Sequence, residues 1–262
     1  MSPPESLVYK TTPQGDLRLY FYRPDGHRPT GRTPAVLFFF GGGWYQGTPD
    51  HFRRQAQHLA DRGIVGVTAD YRTRNRHGTT PFDALADAIT AMRTLRANAE
   101  PLGLDPDRLG AAGGSAGGHL AAALATVTAD GLIPDDDGLA DTPFRPAALV
   151  LFNPVYDNGP DGYAHDRIGE RYVDFSPAHN LHADLPPTLV LLGDRDDLIP
   201  VATAETFRDT MTALGVRSDL IVYPDQPHGF FNQADTGMYQ ATFVAMDDFL
   251  VSLGWLGPSE VR

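Results

Sequence analysis

The chain alternates short, largely apolar runs with longer segments whose apolar residues recur at helical spacing. A run of about four to eight apolar residues between turn residues is typical of a strand buried on both faces of a parallel sheet. We therefore predict strands at Leu17–Tyr22, Ala35–Phe40, Ile64–Ala69, Arg108–Ala112, Ala148–Phe152, Thr188–Leu192 and Asp219–Tyr223. Helices are predicted between them, at Pro49–Asp61, from Thr80 to about Ala97, from Ser115 onwards, at Val201–Leu214 and at Gly237–Leu253.

The helix that begins near Thr80 carries the clearest start signal. Thr80 suits the N-cap, Pro81 suits the first helical position, and Asp83 favours the positive end of the helix. The helix also places its large apolar residues on one stripe, which predicts a face packed on the sheet. These residues are Leu85, Ile89, Met92 and Leu95.

Strands that alternate with helices predict an α/β fold, a mostly parallel central sheet with helices on both faces. No internal repeat and no Gly/Ser-rich linker divides the chain, so we interpret residues 1–262 as a single domain. Two stretches lack periodicity, Ala129–Pro146 and Asn153–Pro187. Long irregular segments of compact domains are often functional.

Composition excludes several classes of function. The net charge of −12 argues against nucleic acid and anionic membranes as partners, because both require a basic face. The absence of cysteine excludes disulfides and thiolate chemistry. The acidic run Asp135–Asp137 lacks the other positions of a calcium loop, so we predict no metal site there. The N-terminus has no basic and apolar leader, and no run is long enough to span a membrane, which favours a cytoplasmic location with export left open.

A strand-to-helix turn holds the strongest chemical signal. Gly113 to Gly118 reads G-x-S-x-G, and it lies where a predicted strand ends and a helix begins. A sharp turn there lifts the hydroxyl of Ser115 above the sheet, where it can act as a nucleophile. A phosphate-binding loop is the competing interpretation, but neither Gly-Lys-Ser/Thr nor G-x-G-x-x-G is present, and we predict no cofactor.

A serine nucleophile needs a base, and the base needs a carboxylate to orient it. In hydrolases with this kind of turn the chain order is serine, then acid, then histidine. The loop after the Thr188–Leu192 strand offers three candidate acids, Asp194, Asp196 and Asp197. His228 follows the last predicted strand and is the candidate base.

Three consecutive glycines follow the Ala35–Phe40 strand. Glycines let bare backbone N–H groups point at one spot, and together with the N–H of Ala116 they would bind the oxyanion of a tetrahedral intermediate. We expect Gly42 and Gly43 to supply the donors.

These motifs resemble those of the α/β-hydrolase fold, and more narrowly of the hormone-sensitive-lipase-like esterases and the acetyl esterases, carbohydrate acetyl esterases included. The matching segments span most of the chain, and the block around Ser115 is highly specific. They are Gly41–Trp44, Asp70–Arg72, the helix bearing Asp87, Asp105–Arg108, Gly113–Ala121, Gly193–Pro200 and Pro227–Phe230. The resemblance implies that Asp196 is the triad acid. Asp194 and Asp197 remain alternatives.

Phe40 departs from the family pattern, which usually has a histidine at this position. In the family that histidine braces the oxyanion loop. The glycine donors survive here, and Phe40 can pack under the loop, but it cannot make the hydrogen bond of an imidazole. The resemblance therefore implies a less firmly held loop in this chain.

Five other residues lie near the predicted site. We interpret His119 as a packing residue behind the nucleophile. Arg72, Arg74, Arg76 and His77 follow the second buried strand, where they contact either the substrate or loop backbone.

The predicted substrate is a small-molecule ester with a short acyl group, acetyl first, and family resemblance extends this to acetylated carbohydrates. Few residues precede the first buried strand, so we expect a small lid or none, built from Asn153–Pro187. The aromatic residues predicted to line the mouth of the pocket are Trp44, Tyr45, Tyr156, Tyr163, Tyr172, Phe175 and Phe231, of which we favour Trp44, Tyr45, Tyr156 and Phe231 for substrate binding.

Two alternatives remain at this point. One is a peptidase or amidase of the same fold, similar to the prolyl oligopeptidases. The other is a non-catalytic binding protein on this fold. The sequence does not indicate an oligomeric state.

Overall fold

The computed structural model describes residues 4–128, 130–134, 138–232 and 237–257. Within these residues the chain forms one eight-stranded sheet with strand order β1-β2-β4-β3-β5-β6-β7-β8. The strands are β1 Glu5–Thr12, β2 Gly15–Tyr22, β3 Thr33–Phe39, β4 Val65–Ala69, β5 Leu104–Gly114, β6 Leu149–Phe152, β7 Thr188–Arg195 and β8 Ser218–Pro227.

Strands β3 to β8 pair in parallel, whereas β1 and β2 form an antiparallel edge. The seven predicted strands are all present, which confirms the mostly parallel sheet. Strand β1 was not predicted. It is an edge strand that is largely exposed and carries Lys10, and such strands lack a long apolar run.

Helices cover both faces of the sheet. Side chains of β3 alternate between two buried clusters: Leu37 and Phe39 face one, and Val36 and Phe38 face the other. Helices α3, α4 and α7 supply the first cluster, and α1 and α8 supply the second. The part of the chain that the structure describes has eight α-helices: α1 Arg53–Arg62, α2 Arg74–His77, α3 Pro81–Ala97, α4 Ala116–Thr126, α5 His165–Ile168, α6 Tyr172–Phe175, α7 Val201–Ala213 and α8 Gly237–Ser252.

Helix α3 begins as the sequence predicts. The Thr80 hydroxyl accepts the N–H of Asp83, and the Asp83 carboxylate accepts the N–H of Thr80 at 2.8 Å, which is a capping box. All four residues of the predicted stripe are buried in the core.

Two segments that the sequence predicts to be irregular bear on function. The segment 153–187 contains α5 and α6 and lies between β6 and β7, at the carboxyl edge of the sheet. The acidic run Asp135–Asp137, where we predict no metal site, falls outside the described residues. None of the helices described is long and apolar enough to cross a membrane.

Candidate active site

Three loops at the carboxyl ends of β5, β7 and β8 bring Ser115, Asp196 and His228 together. His228 Nε2 lies 2.9 Å from Ser115 Oγ, and His228 Nδ1 lies 2.7 Å from Asp196 Oδ2. Because a carboxylate only accepts, Nδ1–H donates to Asp196 and the lone pair of Nε2 accepts the serine proton. This is the arrangement in which an imidazole withdraws a proton from a serine.

Ser115 occupies a strained turn. Its φ of 55° and ψ of −121° are rarely adopted by residues other than glycine, and α4 begins immediately afterwards. The glycines around it allow this approach: a Cβ at Gly117 would lie 2.1 Å from the Phe39 carbonyl oxygen. The turn therefore presents Oγ to the cavity at the positive end of a helix.

Asp196 alone of the three candidate acids contacts His228. Its side chain is fully buried, and its second oxygen, Oδ1, accepts the N–H groups of Leu198 at 2.9 Å and Ile199 at 2.8 Å. Asp194 and Asp197 are exposed. The turn after β7 thus fixes one carboxylate against the imidazole and leaves its neighbours in solvent.

Asn153 is a residue of the site that the sequence analysis missed. It is fully buried at the end of β6, and its Oδ1 accepts the N–H of Gly229 at 3.0 Å. Its Nδ2 lies 3.4 Å from His228 Nε2. Asn153 therefore holds the loop that carries the imidazole. Its position at the carboxyl end of a buried strand was the available signal.

The glycine loop lies directly above Ser115. In the described chain, the N–H groups of Gly42, Gly43 and Ala116 donate to no protein acceptor. A Cβ at Gly41 would lie 3.4 Å from Ser115 Cβ, which shows how closely the loop packs on the serine. The three free donors are therefore available to an anionic oxygen next to Ser115.

A different histidine braces this loop. His51, in the 3₁₀ turn Pro49–Phe52, accepts the N–H of Gly41 on Nδ1 at 2.9 Å. Phe40 stacks on Tyr71 at 3.9 Å between centroids, and the Tyr71 hydroxyl donates to the Phe40 carbonyl at 2.7 Å. The expectation of a less firmly held loop is therefore corrected: these contacts replace the brace that Phe40 cannot provide.

Loss of the His51 brace should reduce activity. Burial lowers the pKa of His51, so the ring is neutral at neutral pH and Nδ1 can accept. His51→Leu leaves the N–H of Gly41 unpaired, and we expect kcat to fall about 10-fold, as for one lost buried hydrogen bond. His51→Asn keeps an acceptor near the Nδ1 position and should recover most of the rate. Equal rates in wild type and His51→Leu would show that the brace is dispensable.

An open cavity of about 410 Å³ lies over the serine. Its rim includes Tyr45 and Leu198, each nearly half exposed. Among the described residues it is lined by Gly41, Gly42, Gly43, Tyr45, Gln46, His51, Ser115, Asn153, Tyr163, Arg167, Leu198, His228, Gly229, Phe231 and Asn232. Tyr45 and Phe231 thus line it as expected.

The structure corrects the expectation for four aromatic residues, because Trp44, Tyr156, Tyr172 and Phe175 do not line the described cavity. Phe175 is fully buried, and Tyr172 packs edge-on against His179. Trp44 is buried under the glycine loop, against the rings of His119 and Phe175. Tyr156 is fully buried and stacks on Phe207 at 4.4 Å. The rings of Trp44, Tyr156 and Phe175 belong to the buried core on that face of the sheet.

Two of the charged residues after β4, Arg72 and Arg76, are paired with carboxylates within the fold. Arg72 donates to the buried Asp87 at 2.8 Å, and Arg76 donates to Asp70 at 2.6 Å. His77 accepts the N–H of Thr73, and Arg74 is exposed. Of the two roles considered, these contacts favour holding the loop.

His119 packs behind the nucleophile, as predicted. It is fully buried, stacks on Phe175, and its Nε2–H donates to the Phe175 carbonyl at 3.1 Å. Burial lowers its pKa from 6.5 to about 3. The ring therefore stays neutral in the folded protein down to strongly acidic pH.

This depressed pKa predicts a loss of stability in acid. Below pH 6.5 the unfolded chain binds a proton at His119 that the folded chain does not, so stability is lost as pH falls from 6.5 toward 3. We expect the free energy of unfolding, measured with urea between pH 6 and 4.5, to fall in the wild type by about 1.4 kcal/mol per pH unit more than in His119→Gln. Parallel pH profiles for the two proteins would contradict this assignment.

Family models match two parts of the chain. The BD-FAE model matches residues 19–144, and the dienelactone hydrolase family model matches residues 176–253. The first match covers Ser115 and the glycine loop, and the second covers Asp196 and His228.

Two of the curated relatives that match come from Mycobacterium tuberculosis. The chain is 31% identical to the probable carboxylic ester hydrolase LipM, over 86% of this chain and 55% of LipM. It is 28% identical to the carboxylesterase NlhH, over 77% of this chain and 67% of NlhH. The chain thus spans little more than half the length of LipM.

Solved structures match over nearly the whole chain. The apo form of Thermogutta terrifontis esterase 2 superposes with a TM-score of 0.92 and 39% identity, over 99% of this chain and 98% of that one. The same esterase phosphorylated by paraoxon matches with a TM-score of 0.90 and 38% identity, over 99% and 97% of the two chains. With this likeness over the full fold, and with both family models on the two halves of the site, the chain belongs to the α/β-hydrolase family of serine esterases.

Proposed function

We propose that this chain is a serine carboxylesterase that hydrolyses short-acyl esters, with acetyl esters preferred. The observation that carries the proposal is the hydrogen-bonded series Asp196–His228–Ser115, which opens into a solvent-accessible cavity under three free N–H donors. A non-catalytic binding protein has no use for this series, since nothing in ligand binding requires a serine activated by a neutral imidazole.

The geometry supports an acyl-enzyme mechanism. Ser115 Oγ attacks the ester carbonyl while His228 Nε2 takes its proton, and Asp196 stabilises the imidazolium that forms. The N–H groups of Gly42, Gly43 and Ala116 bind the oxyanion. His228 then gives the proton to the departing alcohol, and water releases the acid by the same steps in reverse.

Two features support a short acyl group. The cavity has a volume of about 410 Å³, and the Phe231 ring that lines it is packed against Phe52 and Phe152. Thermogutta terrifontis esterase 2 has also been solved with propionate bound and with butyrate bound. The exposed ring of Tyr45 at the rim offers a stacking surface for an alcohol group, and we propose an acetylated sugar as one such alcohol.

A series of p-nitrophenyl esters from acetyl to decanoyl tests the proposal. We expect acetyl to give the highest kcat/KM and the rate to fall steeply beyond butyryl. Alanyl p-nitroanilide, assayed alongside, tests the peptidase alternative and should not be cleaved. Amide cleavage as fast as ester cleavage, or no ester turnover at any chain length, would contradict the proposal.

A further inference from the structure

Arg167 reaches the active site from the 153–187 segment. It lies in α5, and its Nη1–H donates to the Gly43 carbonyl at 2.7 Å. Its guanidinium carbon lies 5.7 Å from the centroid of Trp44 and 5.6 Å from that of Tyr163. These contacts hold the cation beside Gly43, whose N–H is one of the proposed oxyanion donors.

Arg167 forms no ion pair with any residue that the structure describes. Within the described ranges, no carboxylate oxygen lies within the 4.0 Å ion-pair distance of its side chain, and no other residue lining the cavity carries a fixed charge. Most other arginines of this acidic chain have a partner, as Arg32 has in Asp105 and Arg217 in Asp219. The chain has a net charge of −12, yet this guanidinium in the substrate cavity has no ion-pair partner among the described residues. Its charge would attract an anionic ligand.

A second polar group faces the same point. The Tyr163 hydroxyl would lie 3.0 Å from a Cβ at Gly43, and it has no hydrogen-bond partner in the described chain. Arg167 has five N–H donors in a planar fork, and the bond to Gly43 uses only one of them. A guanidinium fork matches the two oxygens of a carboxylate, and the phenol adds a third donor.

We propose that Arg167 and Tyr163 form a subsite for a carboxylate carried by the ester, a few bonds from the scissile carbonyl. The inference rests on the proposed esterase function and narrows its substrate class to anionic esters. The carboxylate has two possible sources. It belongs to the acyl part in a half-ester of a dicarboxylic acid, or to the alcohol part in an ester of an acidic sugar or hydroxy acid.

Matched neutral and anionic esters test the subsite. For the acyl part the pair is p-nitrophenyl butyrate and mono-p-nitrophenyl succinate; for the alcohol part it is phenyl acetate and 4-acetoxybenzoate. The readout is the ratio of kcat/KM for the anionic ester to that for the neutral one. A ratio is used because Arg167 also holds Gly43, so its replacement changes the rate on every ester.

We expect the wild type to prefer the anionic ester in one pair, and this preference to weaken as salt is added. Arg167→Gln should lower the ratio in that pair at least about 10-fold, as for a lost charged hydrogen bond. Tyr163→Phe should lower it about 3-fold. Arg171→Gln is the matched control: Arg171 lies on the same segment but packs over Phe82, away from the cavity, and the ratio should not change.

The outcomes separate this inference from the function on which it rests. Turnover of the neutral esters with the same ratios in wild type and Arg167→Gln would overturn the carboxylate subsite and leave the esterase intact. Absence of turnover on every ester would overturn both. Loss of preference in the first pair assigns the carboxylate to the acyl part, and loss in the second pair assigns it to the alcohol part.

Discussion

Ser115→Ala should reduce ester hydrolysis to near the rate in buffer alone. Oγ lies 2.9 Å from the base and under the free N–H donors, so its removal ends acyl-enzyme formation. Loss of the serine from a comparable triad costs about 10⁶-fold in kcat. The measurement is kcat on p-nitrophenyl acetate, with the melting temperature recorded for both proteins.

The fold should survive this change, because alanine fits wherever serine does and Oγ makes no contact that holds the turn. An unchanged melting temperature with no activity places the loss in the chemistry. Substantial residual activity in Ser115→Ala would mean that another nucleophile, or a directly activated water, attacks the ester carbonyl.

Asp196→Asn should lower kcat about 10⁴-fold, as in a triad whose carboxylate is replaced by its amide. The amide presents an N–H to the imidazole or forces the other tautomer, and Nε2 then carries a proton and cannot accept from Ser115. The neighbouring aspartates provide matched controls, since Asp194 and Asp197 are exposed and do not touch His228. Asp194→Asn and Asp197→Asn should stay within about 3-fold of wild type.

This comparison distinguishes among three residues that the sequence alone left in competition. A large loss in Asp194→Asn or Asp197→Asn, with Asp196→Asn close to wild type, would contradict the geometry described above. Measuring kcat and KM separately is informative, because a positioning carboxylate acts on kcat while KM changes little.

The architecture was readable from the sequence because parallel strands are buried on both faces. The runs Ala35–Phe40 and Ala148–Phe152 have no polar face, and the helix after the second buried strand carries a clear apolar stripe, as at Leu85 and Ile89. Strand β1 escaped detection because an exposed edge strand has no such run. Some predicted strand ends also differ by several residues from those in the structure. Strand β5, for example, was predicted to start at Arg108 and starts at Leu104.

The candidate site was only partly readable. Ser115 and His228 follow from local motifs and chain order, but Asp196 stands in a row of aspartates that only the turn after β7 distinguishes. Trp44 and Tyr156 were assigned to the pocket because they lie in loops at strand ends. Composition does not tell a loop aromatic that faces a cavity from one that fills the core.

Other residues of the site carry no sequence signal. His51 reaches the glycine loop from a separate 3₁₀ turn, and Arg167 reaches it from an irregular segment more than a hundred residues later. Such contacts depend on how loops fold over the sheet edge. The substitution of Phe40 for the usual histidine was visible, but its compensation by His51 was not.

The most direct test of the central claim is the site of reaction with paraoxon, the reagent that phosphorylates Thermogutta terrifontis esterase 2. After inactivation and digestion, mass spectrometry of the peptides should place a single diethylphosphoryl group on Ser115, in step with the loss of esterase activity. His228→Gln, which lacks the base, should remain unmodified under the same conditions. Modification at another residue, or full esterase activity in a protein that carries the group on Ser115, would contradict the account.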